Sequence, residues 1–300
     1  MKEFEKEYKL ITEDYTDYLE EVKRTVEKIL IKNQISIAFG IYGRLKSFDS
    51  IFEKVTSERF VIKKTVTELN DLIGLRIVLL FPEFKDKVVE ILSKEFKLLN
   101  DPNISFQSID KFGYSSIHLI LGIKDEWTKT PVWEDHYNKK IEVQIRTLSE
   151  HIWAETSHSL FYKREENIPK IINRDLHKLS ALLEIVDDKL QTIKHSVEEH
   201  FKYIIDAPYN EILKLDLNSE TFRRVMVENS KGIYNFNDYR NKILSSKIEK
   251  DYNILNVNIL DDIIAEKIEL TEIDSDMYIE KVIELLEIEK LKFNEQQRKK

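Results

Sequence analysis

Residues 140–147 read KIEVQIRT, a stretch in which polar and apolar side chains alternate. Successive side chains of a strand point to opposite faces, so this pattern predicts a half-buried strand with one polar face. That face would carry a carboxylate, an amide and a guanidinium, from Glu142, Gln144 and Arg146. Such a row is costly to bury unless it is solvated, paired or used to bind a ligand.

Further strands and helices are predicted on both sides of this stretch. Apolar runs or alternation predict strands at 35–41, 74–81, 104–109 and 114–123, of which 74–81 is expected to be buried on both faces. Apolar residues at helical spacing predict helices at 4–32, 47–55, 83–97, 148–163 and 170–200. The mixture predicts an α/β (α+β) domain over residues 1–200, with a mixed β-sheet flanked by helices.

The last third of the chain differs from the rest. Pro208 interrupts the helical pattern, and residues 201–300 carry no catalytic motif. Their segment 261–290 is strongly acidic. Apolar residues at helical spacing predict a mainly helical accessory region at 201–300.

Composition excludes several classes of protein. The chain has 300 residues, 42% of them hydrophobic, no cysteine and a net charge of -8. Zero cysteine excludes disulfides and thiolate chemistry, and the charge argues against broad nucleic-acid binding. No apolar run approaches the roughly 18 residues that span a bilayer, and the start has no signal-peptide pattern. We expect a cytoplasmic protein with no membrane partner.

A basic cluster lies between Arg44 and Lys64, a stretch that contains six basic residues and only three acidic ones. Arg44 and Lys46 share one face of an extended segment, and Ser50 and Lys54 lie four apart on the next helix. A strand end that leads into a helix start, with a hydroxyl and several cations, is typical of a triphosphate site. The alternative is a solvated charged turn.

Two further groups have the chemistry of a nucleotide site. Asp71 precedes the apolar strand that contains Arg76. A carboxylate at this position either presents an oxygen to Mg²⁺ or caps a backbone amide of the turn. Tyr114, Ser116 and His118 share one strand face, which suits a stacked base or is simply a polar sheet surface.

The helix predicted at 148–163 carries a polar stripe of His151, Glu155, His158 and Tyr162, backed by Ile152, Trp153 and Leu160. The two histidines are seven residues apart, which does not match the zinc metalloprotease spacing. We expect the stripe to face a bound ligand or to support the residues that do.

Taken in this order, the elements resemble the synthetase domain of the RelA/SpoT family, whose members make the stringent-response alarmones ppGpp and pppGpp. The matching positions are Arg44, Lys46, Ser50 and Lys54; Asp71, Gly74, Arg76 and Ile77; Gly113, Tyr114, Ser116 and His118; and Glu142, Gln144, Ile145, Arg146 and Thr147. The resemblance covers roughly residues 20 to 195.

The resemblance implies a nucleotidyltransferase-like fold and an ATP:GTP 3′-diphosphotransferase, which moves the β,γ-pyrophosphate of ATP to the 3′-hydroxyl of GDP or GTP. It implies that Arg44, Lys46, Ser50 and Lys54 hold the ATP phosphates, and that Arg44 and Arg76 sandwich the adenine. Asp71 and Glu142 would bind Mg²⁺ and form the catalytic pair, with Glu142 also the candidate base.

On the acceptor side, the resemblance implies that Tyr114 stacks on guanine and that His118, Gln144 and Arg146 orient the acceptor. It also implies that Lys111, Ser116 and His158 bind the acceptor. Asp110 and Ser115 depart from the family pattern, and both fall on the acceptor side.

Several alternatives stay open. The acceptor could be the 3′ end of tRNA or an adenine nucleotide, and the chain could be a nucleotide-sensing module without catalysis. We expect a synthetase without the hydrolase domain of the long family members. Assembly into a homo-oligomer is also left open.

Overall fold

The computed structural model describes residues 2–100, 103–104, 116–161, 169–265 and 267–298. The chain divides into two compact units, Met1–Ile193 and Lys194–Lys300. The assignment of residues 1–200 to catalysis and 201–300 to an accessory role stays a prediction. Within the described residues, every helix is too short or too polar to span a lipid bilayer.

Among its described residues, the first unit contains a sheet of six strands. They are β1 (Tyr42–Leu45), β2 (Ile73–Leu79), β3 (Lys97–Leu98), β4 (Asn103–Ile104), β5 (Ile117–Gly122) and β6 (Lys140–Thr147). The order is β1-β2-β6-β5-β3, with β4 also paired to β5. The β2–β6 pair is parallel and the other pairs are antiparallel. The predicted mixed sheet is confirmed.

Helices flank this sheet. They are α1 (Lys2–Lys32), α2 (Phe48–Thr56), α3 (Phe84–Glu95), α4 (Leu148–Phe161) and α5 (Lys170–Asp206). The inward residues of β6 are Ile141, Val143 and Ile145, all fully buried in one cluster with apolar residues of α1 and α3. Burial of this face fixes the register of the strands, since a slip of one residue would turn every apolar side chain outward.

Two strand predictions need correction. The strand predicted at 35–41 is wrong: Ile37 makes a single bridge to Leu79, a bend follows at residues 38–39, and β1 starts only at Tyr42. The expected two-sided burial of 74–81 holds only from Ile77 to Leu79, because the earlier positions of β2 alternate between buried and half-buried. Of the strand predicted at 104–109, residues 105–109 lie outside the described residues.

The second unit is helical, as predicted. It contains α6 (Tyr209–Ile212), α7 (Ser219–Asn229), α8 (Asp238–Tyr252), α9 (Val257–Ile264) and α10 (Ser275–Arg298). Pro208 caps the start of α6, two residues after α5 ends. The unit has its own apolar core, in which Phe222, Leu260 and Tyr278 are fully buried.

Candidate active site

One face of the sheet collects polar side chains from four strands. Residues paired across a ladder point to the same side. The pairs on this face are Tyr42 with Arg76, Arg44 with Gly74, Gly74 with Glu142, Arg76 with Gln144, and His118 with Gln144. Residues from four separate sequence motifs therefore meet on one surface, which we call the polar sheet face.

Asp71 lies in the turn before β2 and binds two lysines. Lys46 Nζ and Lys54 Nζ donate to the same oxygen, Asp71 Oδ2, at 2.7 and 2.9 Å. The backbone N–H of Lys46 donates to Leu72 O at 2.8 Å, which ties the end of β1 to this turn. Burial alone would raise the pKa of Asp71, but the hydrogen bonds and charges of the two lysines outweigh it and hold that pKa below its ordinary value.

Ser50 lies in the first turn of α2, exposed, one turn before Lys54. Its backbone N–H donates to the side chain of the N-cap residue Ser47, and the two hydroxyl oxygens lie 2.9 Å apart. A helix start offers partly free N–H groups and a favourable dipole to an anion. Lys46 and Lys54 thus meet on Asp71, and Ser50 lies one turn before Lys54 at the start of the same helix, so that two cations and a hydroxyl are available to a phosphate.

Glu142 is held by hydrogen bonds on both oxygens. His118 Nδ1 lies 2.9 Å from Oε1, and Gln144 Nε2 donates to Oε2 at 2.9 Å. Ser116 Oγ lies 2.6 Å from His118 Nε2. Burial would raise the pKa of Glu142, but the contacts with His118 and Gln144 lower it below its ordinary value. The carboxylate is therefore ionised and fixed in orientation at neutral pH.

The stripe on α4 supports the polar sheet face rather than forming a separate site. Glu155 Oε1 accepts a hydrogen bond from Arg76 Nη1 at 2.6 Å. His151 Nδ1 lies 4.0 Å from the same oxygen. The expected apolar backing is wrong in part, since Ile152 and Leu160 are 44% and 60% exposed. Tyr162 lies outside the described residues.

Two cavities open on this surface. A narrow crevice is lined by Tyr42, Arg44, Asp71, Gly74, Leu75, Arg76, Glu142 and Gln144. A larger cavity of about 280 Å³ is lined by Ser116, Arg146, Glu150, Trp153, Ala154, Ser157 and His158. Of the predicted donor and metal residues, Arg44, Asp71, Arg76 and Glu142 thus border the crevice. The others, Lys46 and the two on α2, do not line it. Three predicted acceptor residues border the larger cavity.

The larger cavity is lined by charged groups that are buried in whole or in part. Arg146 Nε is buried and has no hydrogen-bond partner among the residues described. Glu150 accepts from Lys85 Nζ at 2.5 Å and from the backbone N–H of Thr147 at 2.7 Å, yet burial raises the pKa of Glu150 above its ordinary value. Thr147 Oγ1 also donates to Asp187 Oδ2 at 2.6 Å, which fastens α5 to the end of β6.

Sequence reasoning missed three of the residues that line these cavities. Glu150, Trp153 and Tyr42 line these cavities but belong to none of the matched motif positions, so the sequence assigned them no site role. Two predicted acceptor residues, Lys111 and Tyr114, fall outside the described part of the chain. The structure therefore brings together the remaining predicted residues without testing their roles.

The carboxylates fit a magnesium ion. Asp71 Oδ1 is buried and lacks a hydrogen-bond partner among the described residues, while Asp71 and Glu142 line the same crevice. Mg²⁺ is usually bound by one or two protein carboxylates together with substrate phosphates and waters. The described residues hold no cluster of three or more His, Cys, Asp or Glu that could bind a metal, which a site of this kind does not need.

Comparison with known proteins identifies the family. The family described as "Region found in RelA / SpoT proteins" matches residues 43–167. GTP pyrophosphokinase YjbM of Bacillus subtilis (strain 168) is 30% identical over 161 residues, which cover 53% of this chain and 73% of that protein.

Two solved structures show the same fold. The small alarmone synthetase 1 from Bacillus subtilis bound to its product pppGpp is 27% identical, with a TM-score of 0.54 over 64% of this chain and 99% of that one. The same synthetase bound to AMPCPP is 25% identical, with a TM-score of 0.50 over 65% and 99% of the two chains. The chain therefore belongs to the RelA/SpoT family, within which it is similar to the small alarmone synthetases.

Proposed function

We propose that the chain is a GTP/GDP pyrophosphokinase that transfers the β,γ-pyrophosphate of ATP to the 3′-hydroxyl of GDP or GTP, making (p)ppGpp. One observation carries the proposal: Asp71, with two lysines on one oxygen and the other oxygen unpaired, shares a crevice with the ionised Glu142. Support also comes from a relative named GTP pyrophosphokinase and from a similar structure bound to pppGpp.

The donor phosphates would bind the cations around Asp71. Lys46 and Lys54 now donate to Asp71, so a triphosphate competes with that carboxylate for the same ammonium groups. Ser50 at the start of α2 adds a hydroxyl and a favourable helix end. Arg44 and Arg76 lie on the polar sheet face beside this group and would contact the adenine.

Asp71 and Glu142 would hold Mg²⁺. When bound, the ion neutralises phosphate charge and so favours attack by an oxygen nucleophile. The unpaired Oδ1 of Asp71 is the oxygen available for it, because Oδ2 is taken by the lysines.

In the transfer step, the acceptor 3′-oxygen forms a bond to the β-phosphorus of ATP. The bond from that phosphorus to the oxygen bridging the α- and β-phosphates breaks, and AMP leaves with that oxygen. The hydroxyl proton passes to Glu142, the candidate base. Since the contacts of Glu142 lower its pKa, it is a weak base, and positioning of the two substrates would supply most of the rate.

The acceptor would occupy the larger cavity and its border. Ser116, Arg146 and His158 line it, and His118 and Gln144 lie next to it through their contacts with Ser116 and Glu142. The unpaired Nε of Arg146 is a donor suited to a phosphate or a base oxygen. The roles of Tyr114 on guanine and of Lys111 rest on the sequence.

The acceptor is tested by offering each candidate separately. Purified protein is incubated with ATP, Mg²⁺ and either GDP, GTP, bulk tRNA or no second substrate, and the products are identified by mass spectrometry. We expect a diphosphate added to GDP or GTP, and no product from Glu142→Gln. Modification of tRNA or of an adenine nucleotide alone would contradict the proposed acceptor, and nucleotide binding without any product would indicate a sensing module.

A further inference from the structure

Lys140 joins the strand of one site carboxylate to the turn that carries the other. It is the first residue of β6 and lies two residues before Glu142, so both side chains project from the polar sheet face. Its Nζ donates to the backbone oxygen of Glu68 at 2.8 Å and to Asn70 Oδ1 at 2.7 Å. Both acceptors lie in the segment that leads into Asp71 and β2.

The segment that leads into Asp71 has little regular structure of its own. It contains one short 3₁₀ helix, Val66–Glu68, and then a turn before β2 begins. Outside ladders and long helices, backbone groups are paired by side chains or water. Leu69 and Leu72 are buried and anchor the segment to the core. Apolar packing is not directional, so it does not by itself fix where Asp71 lies relative to Glu142.

Contacts from both neighbouring strands hold the turn before β2. On the β1 side, the backbone N–H of Lys46 donates to Leu72 O at 2.8 Å. On the β6 side, the contact comes from the ammonium group of Lys140. The ladder between β2 and β6 begins with the pair Gly74 and Glu142. Lys140 therefore extends the link between these two strands beyond the ladder and into the turn.

We propose that Lys140 is a positioning residue for the two carboxylates, which sets the place of Asp71 relative to Glu142 through its bonds to Glu68 and Asn70. Asp71 and Glu142 line one crevice. The inference rests on the proposed function for their role as magnesium ligands. Loss of a residue that orients metal ligands from behind costs about 10- to 100-fold in metal affinity. The cost for Lys140 is at the lower end, because it acts through the turn and does not contact a carboxylate ligand itself.

The test measures how much Mg²⁺ strengthens the binding of AMPCPP. Isothermal titration calorimetry gives the dissociation constant of AMPCPP in EDTA and in enough Mg²⁺ to saturate the nucleotide, for the full chain and its variants. We expect wild type to gain affinity when Mg²⁺ is added. Lys140→Met keeps the apolar stem and removes the donor, so it should reduce this gain about tenfold. Asn70→Ala removes one of the two acceptors without changing any charge, so it should reduce the gain by a smaller factor.

Binding without metal separates positioning from a general loss of structure. In EDTA, AMPCPP binding by both variants should stay close to that of wild type, because the proposed phosphate-binding lysines are untouched. The double variant should lose no more of the gain than Lys140→Met alone, since Asn70 acts through the lysine. Lys124→Met is the matched control. Lys124 is also half-buried and also donates to a backbone oxygen, that of Lys94, but it lines neither cavity.

An unchanged gain in Lys140→Met would overturn the inference, as would equal weakening of AMPCPP binding with and without Mg²⁺. A wild type that gains no affinity from Mg²⁺ would overturn it too. If Lys140→Met does not fold, an unchanged gain in Asn70→Ala decides against the inference.

Failure of the proposed function has another signature. Wild type would then gain affinity for AMPCPP from Mg²⁺ yet form no 3′-diphosphate on any guanine nucleotide. In that case the comparison of Lys140→Met with wild type still decides the positioning role, because it needs no turnover.

Discussion

Replacing Asp71 by asparagine tests the proposed donor site most sharply. The structure predicts opposite effects on two reactions, the binding of nucleotide without metal and the binding of Mg²⁺. The substitution keeps the shape of the side chain and removes its charge. Without metal, that charge competes with phosphates for Lys46 and Lys54, to which Asp71 is bound at 2.7 and 2.9 Å. In the proposed site, the same charge would hold Mg²⁺ once metal is added.

The size of the effect follows from these contacts. A hydrogen bond to a charged group contributes about 1.5–3 kcal/mol, and asparagine keeps one acceptor oxygen for two lysines that are partly exposed. We therefore expect the free energy of unfolding to fall by about 1–3 kcal/mol, which lowers Tm by roughly 2–12 °C for a domain of this size. Loss of an oriented charge at the reacting centre should cut turnover by about a hundredfold or more.

Calorimetry with AMPCPP separates the two effects. In EDTA we expect Asp71→Asn to bind AMPCPP as well as wild type or about threefold tighter, because the lysines are released and a nearby negative charge is gone. We expect wild type to gain affinity for AMPCPP when Mg²⁺ is added, and we expect this gain to be absent in Asp71→Asn. Asp125→Asn, which removes an exposed carboxylate 3.6 Å from Lys97, should change neither. A large loss of metal-free AMPCPP binding in Asp71→Asn, in a protein that is still folded, would show that the Asp71 carboxylate does not compete with phosphates for the two lysines.

Three further substitutions test other parts of the site. Arg146→Met should raise the KM for the guanine acceptor about tenfold or more with the KM for ATP unchanged, because Arg146 lines only the larger cavity; equal effects on both substrates would contradict this. Thr147→Val should lower the unfolding free energy by about 1–3 kcal/mol in urea titrations, because the buried Asp187 Oδ2 loses its hydrogen-bond donor. The control Thr56→Val, at an exposed threonine, should have little effect. Burial and the charge of Arg76 hold the pKa of His151 below 6.5, so protonation opposes folding. Wild-type stability should therefore fall relative to His151→Gln as the pH drops from about 7.5 to about 5.5, and a constant difference would contradict the assigned cause.

The central strand and its polar face could be predicted because alternation reports burial directly. The predicted range 140–147 coincides with β6, and its polar residues line the two cavities. The same rule was wrong at 35–41, where alternation of apolar residues reflects a segment that bends beside the end of β2 instead of pairing along it. A pattern of side chains does not report where the backbone bends.

The contacts between motifs could not be predicted from the residues alone. Glu155 was expected to face the site, but its bond to Arg76 depends on α4 packing beside β2, seventy-nine positions away in sequence. Tyr42 belongs to no motif, and its position opposite Arg76 follows from the register of β1 and β2. The fold places residues of separate motifs within contact distance, and only a three-dimensional description shows which pairs result.

In the proposed reaction, a pyrophosphate group moves intact from ATP to a guanine nucleotide. Phosphorus NMR of a reaction containing protein, Mg²⁺, ATP and GDP tests it most directly, since it resolves AMP, ADP and a diphosphate on the 3′-oxygen in one spectrum. We expect one AMP to form for each 3′-diphosphate, with no accumulation of ADP or free phosphate. Formation of ADP with free phosphate, or AMP without a 3′-diphosphate on the guanine nucleotide, would contradict it.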